Sequence, residues 1–169
     1  MSSPIENSKL HLQKALNSIV VLSLVVLSFS SIDVVRGRVK DSKRLADIRQ
    51  IKAALDMYSY RHNAFPNVTD NDINGWDTSF EFDGAGGNFL NILVEENFID
   101  QIPFDPVNSN NFYYRYKKFP AGSFGCARPF YILQAVNFEG DRNDHGWGSC
   151  PEKDFVSELP NGYTIQVFD

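Results

Sequence analysis

"ALNSIVVLSLVVLSFSSIDVV", residues 15–35, decides how the rest of the chain is read, and Asp33 is its only charge. As a helix rising about 1.5 Å per residue it would span roughly 31 Å, close to the hydrocarbon thickness of a bilayer. From Ile19 to Phe29 only Ser23 and Ser28 are polar, and serines in a helix can bond back to their own carbonyls. A soluble core helix would carry a polar stripe here. The spacing therefore predicts a membrane-embedded helix over 15–35, preceded by a leader at 1–14 and followed by a head at 36–169. A cleaved secretory signal is the competing reading. It would place Lys9 and Lys14 before the apolar core, with Ser28 and Ser30 at the cleavage positions.

Outward from this run, "LADIRQIKAALDMYSY" (45–60) sets Leu45, Ile48, Ile51, Leu55 and Tyr58 three and four residues apart. That is the apolar stripe of an amphipathic helix. No proline interrupts from Ala15 to Tyr60, so one helix with an apolar first half and an amphipathic second half is expected. Pro66 stops it, because proline lacks an amide donor and disfavours helix at Phe65. Residues 67–87 read as a long turn-rich loop, and "NFLNILVEENFI" as a short helix. "FYYRYKK" (112–118), "FYILQAVNF" (130–138) and "GYTIQVFD" (162–169) are aromatic and β-branched, with turn residues between them. The expected class is α+β, a long N-terminal helix packed on a small antiparallel sheet.

Composition narrows the function. A net charge of −5 argues against nucleic acid as a partner. The basic residues Arg36, Arg38, Lys40, Lys43, Arg44 and Arg49 crowd just after the apolar run. His11, His62 and His145 are scattered, and the sequence carries no phosphate loop, nucleophile elbow or HExxH run, so no enzyme is expected. Cys126 and Cys150 are too few for a disulfide framework and form no CxxC pair. Outside the cytoplasm, one disulfide between them is the preferred reading over two thiols.

The order of these pieces resembles the type IV pilin-like proteins, most nearly the major pseudopilin of type II secretion systems. "ADIRQIKAALDMYSYRHNAFP", "GWDTS", "FLNILVEENFIDQIPFDPVN" and the "FYYRY" and "YILQA" strands carry the likeness over roughly residues 19–140. The resemblance implies a filament subunit for export or surface adhesion. Its partners would be like subunits, the membrane and the secretion or pilus machinery. Its helix would sit in the inner (cytoplasmic) membrane as a single pass, head outside, until assembly into an extracellular filament. Ile19, Val20, Leu22, Leu24, Val25 and Leu27 would then pack against the helices of neighbouring copies. "LQKALNSIVVL" departs from the family pattern, lacking the glycine, aromatic and glutamate that flank a prepilin cut. The other class considered is a membrane-tethered or secreted binding domain that never polymerises.

Two stretches raise calcium as a cofactor. "DNDINGWDTSFE" (70–81) aligns Asp70, Asp72, Asn74 and Glu81 with the oxygen-ligand spacing of a calcium loop. Proline-bearing entry and Asp77 at the eighth position oppose an EF-hand, and Asx turns around Gly75 explain the same residues without metal. "GDRNDHGWGSCPE" offers Asp141, Asn143 and Glu152 at loop-like spacing, with Asp144 as an extra oxygen, though His145 takes a ligand position and Cys150 intrudes. The resembled family holds calcium in this C-terminal region.

Overall fold

The computed structural model describes residues 4–67, 73–82 and 88–169; within its first helix the side chains of 4–8, 10–12, 15 and 24–31 fall outside the description. Contacts divide the chain into Met1–Arg38 and Val39–Asp169. The helix α1, Pro4–His62, contributes residues to both. Its last turn carries Arg61 and His62, cations suited to the negative end of a helix dipole.

In the second unit the amphipathic stripe behaves as its spacing demands. Ile48, Ile51 and Leu55 are buried, with Leu45 and Tyr58 packed at the edge of the same cluster. Asn63 follows α1 in the left-handed region, and Phe65 enters the core. Past Gly75 the chain forms the strand β1 (Asp77–Thr78), inside a stretch the sequence reads only as loop. The short helix expected near 89–98 shrinks to α2, Ile92–Glu95. Leu90 and Asn97, both at positive φ, bound it on either side. Leu90 is held there by its own amide, which donates to Asp77 Oδ2 at 3.0 Å, and by burial of its side chain.

The three aromatic strands form as β2 (Tyr113–Phe119), β3 (Phe130–Val136) and β7 (Tyr163–Phe168). Between the last two come three two-residue strands: β4 (Gly146–Trp147), β5 (Ser149–Cys150) and β6 (Lys153–Asp154). The main sheet has the order β1-β2-β3-β7-β4, and β5 and β6 pair as a separate hairpin. The sheet is mixed, which corrects the antiparallel expectation: β4 pairs parallel with β7. The physical device is Gly146, at φ +81°, where an added Cβ would lie 1.8 Å from the Thr164 carbonyl oxygen. Only glycine lets the chain approach β7 so closely there.

Register assigns the two faces. Tyr114, Tyr116, Tyr131, Leu133, Ala135, Tyr163 and Ile165 join the α1 stripe in the larger core. Phe119, Phe130 and Ile132 face the other way, in a smaller cluster with Trp76, Phe155 and both cysteines. One sheet thus has a helix-covered face and a loop-covered face.

Candidate functional site

One chemically dense site lies where α1 meets two loops of the second unit. Arg44 is fully buried. Its Nε donates to Asp105 Oδ2 at 2.6 Å, its Nη2 to Asp105 Oδ1 at 3.1 Å and its Nη1 to Asp41 Oδ1 at 2.7 Å. The guanidinium also lies 4.6 Å from the Phe112 ring centroid. Each carboxylate does further work. Asp105 Oδ1 accepts the Val107 and Asn108 amides, and Asp41 accepts those of Glu139 and Gly140. Lys40 closes the outer side on Glu139 at 2.9 Å. Burial opposes the charge on Arg44, but hydrogen bonds and charge from Asp105 and Asp41 outweigh it and hold the guanidinium above its ordinary range. One turn on, the Tyr114 hydroxyl donates to Asp47 Oδ2 at 2.8 Å, with Lys43 on the same oxygen. Burial first, then Asp47, pushes that phenol well up.

These groups position the loops around α1. Asp41, Arg44, Ile48, Ile51 and Leu55 lie at three- and four-residue steps, so the ionic residues continue the apolar stripe. The sequence reading stopped the stripe at Leu45 because it followed apolar side chains only. Charges in register with a buried stripe were the available signal.

The disulfide expected between Cys126 and Cys150 is formed, with Cα atoms 5.2 Å apart. It joins the segment after the 3-10 turn Ser123–Gly125 to β5. Gln166 Nε2 lies 3.3 Å and 3.5 Å from the two sulfurs.

The calcium candidates are placed in part. Asp70 and Asp72 lie outside the described residues. Asn74 and Gly75, both at positive φ, form a tight turn closed by the Trp76 amide on the Ile73 carbonyl at 3.0 Å. The Asn74 carbonyl accepts Lys117 Nζ at 2.7 Å, which sets an ammonium beside the loop. Glu81 is half-buried. In the second stretch Asp144 Oδ1 caps its own turn by accepting the Gly146 amide at 2.8 Å. Asp141 and Asn143 are exposed, and Glu152 sits in the turn between β5 and β6. Among the described residues, no group of three His, Cys, Asp or Glu is arranged to hold a metal ion.

Of the assembly residues, Ile19, Val20 and Leu22 are more than half exposed, at 63%, 56% and 66%, as are Leu16, Val21, Val34, Val35 and Val39. The side chains of Leu24, Val25 and Leu27 lie outside the description. Among the described residues, no helix is long and apolar enough to cross a membrane. Comparison of the chain with protein-family models, curated proteins and solved structures gives no match.

Proposed function

We propose that the chain is a pilin-like structural subunit that packs with copies of itself through the N-terminal part of α1. The observation that carries this reading is the set of exposed aliphatic side chains at Leu16, Ile19, Val20, Val21 and Leu22 and at Ile32, Val34, Val35 and Val39. Covering a Val, Leu or Ile is worth roughly 1.5–3 kcal/mol. So many together favour lipid or like helices as their surroundings over water. The α+β architecture supports the same reading: a long N-terminal helix whose later turns pack on an aromatic sheet, with the C-terminal segment closed by a disulfide. Calcium, if part of this function, would be held through the 70–81 loop or the 141–152 segment.

Introducing Leu22→Asp into the full chain tests it. Cross-linking in membranes of producing cells should show a ladder of copies for the parent protein and none for the variant. The head's circular dichroism should stay unchanged. The missing prepilin residues in "LQKALNSIVVL" favour a second reading, a tethered domain that stays single. Under that reading the parent protein gives no ladder, and Leu22→Asp changes only membrane retention.

A further inference from the structure

On the sheet face away from α1, three cations converge over one aromatic layer. Arg115 and Lys117 project from β2 two residues apart, hence to the same side. The Arg115 guanidinium lies 4.1 Å from the Trp76 ring centroid. Lys117 Nζ lies 5.6 Å from Phe119 and 6.0 Å from Trp76. Lys153, from the β5–β6 hairpin, sets its Nζ 4.7 Å from Phe124 and 5.2 Å from Phe155. The rings touch in sequence: Trp76 to Phe119 at 6.3 Å, Phe119 to Phe124 at 5.6 Å and Phe124 to Phe155 at 5.5 Å.

Cations spread over π faces are favourable one at a time, but three in one place repel each other. The Lys117 ammonium is pushed down, first by burial and then by the charges of Lys153 and Arg115. Among the described residues one carboxylate answers them. Glu158 accepts Lys153 Nζ at 2.6 Å and the Arg115 guanidinium at 3.3 Å. Lys117 turns instead to the Asn74 carbonyl at 2.7 Å. Among the described residues, three positive charges against one negative leave two in excess here, in a chain whose net charge is −5.

We infer that Arg115, Lys117 and Lys153 form an oxyanion-binding ledge for a phosphate dianion, free or as a monoester, with the Glu158 carboxylate as its built-in competitor. The charge excess matches a dianion. With its Nε already donating to Gln134 Oε1 at 2.6 Å, Arg115 presents its Nη groups, and a tetrahedral oxyanion offers separate oxygens to these and to the two point-like ammoniums. Glu158 shows that the Arg115–Lys153 pair already donates to carboxylate oxygens in this geometry. The inference does not depend on whether the chain polymerises.

The test uses the full chain in dodecyl maltoside with Trp147→Phe, which leaves Trp76 as the only indole. Inorganic phosphate is titrated against chloride at matched ionic strength, and Trp76 fluorescence is followed. A saturable response is expected in the parent. Glu158→Gln should tighten it about fivefold by removing the competing charge, and adding Lys117→Gln to that variant should abolish saturation. Equal curves for inorganic phosphate and glycerol phosphate would assign the ledge to monoesters; a curve for inorganic phosphate alone would assign it to the free ion. A Glu158→Gln response that coincides with chloride, or one untouched by Lys117→Gln with circular dichroism intact, overturns the proposal.

Discussion

The two faces of the sheet solve the same packing problem with different means. The face toward α1 meets a long, regular stripe, so apolar burial is ample, and an ionic knot can be carried inside it. The opposite face is covered by the β5–β6 hairpin, two strands of two residues each, and the turns around it. Such strands supply few ladder bonds and little apolar area. There the cover is closed covalently, through Cys126–Cys150, and by side chains that stitch it down, such as Gln134 donating to the Phe155 carbonyl at 3.2 Å. The difference teaches that secondary-structure length sets the kind of fastening a layer needs.

The sharpest way to break this contrast is to disturb the helix-side face by a single atom group. Asp105→Ala leaves a buried guanidinium without its bidentate partner and frees two loop amides, and should cost about 3–5 kcal/mol. Urea unfolding followed by far-ultraviolet circular dichroism reads the loss. A cost below about 1 kcal/mol would mean that Asp41 and Glu139 suffice. On the other face, Cys126→Ser with Cys150→Ser should cost about 3 kcal/mol, from the freed loop of 24 residues in sequence separation. Because the α1 side keeps its own core, near-ultraviolet signals of Phe124 and Phe155 should fade at lower urea than the far-ultraviolet signal. Coincident transitions would show the two layers to be one cooperative unit.

A gentler probe uses pH. Burial raises the phenols of Tyr114 and Tyr131 above the ordinary value near 10, Asp47 adding to the effect at Tyr114. A raised folded-state value means that the folded chain binds the proton more tightly. This stabilisation is therefore complete below about pH 10 and is lost as pH rises above it, by up to about 1.4 kcal/mol per pH unit for each buried phenol. The part of the tyrosinate absorbance at 295 nm that is lost in Tyr114→Phe and Tyr131→Phe should rise together with unfolding. If that part precedes unfolding, the two phenols are accessible.

The sequence announced α1 and the three long strands, because helical spacing and aromatic runs survive without tertiary knowledge. Ile48, Ile51 and Leu55 could be assigned to the core from their spacing alone, and the cysteine pair only by expecting oxidising surroundings. Less was visible where structure depends on partners distant in sequence. Two-residue strands have no periodicity, and β4 exists only because Gly146 can lie against Thr164. Asp77 reads from the sequence only as a residue opposing an EF-hand in the 70–81 stretch, yet its carboxylate fixes the Leu90 backbone. The cationic ledge combines residues from β2, β6 and the turn at Asn74, and no local pattern joins them.

The strand order has one more consequence. β7, the last strand in chain order, lies inside the sheet, hydrogen-bonded to both β3 and β4. During synthesis every earlier piece therefore waits for β7. Until then the greasy flank of α1 and the inner edge of β3 stay open to whatever meets them first. A ribosome that stalls shortly before Tyr163 would release a chain with its helix made and its sheet unfinished, and such a product is prey for proteases and self-association.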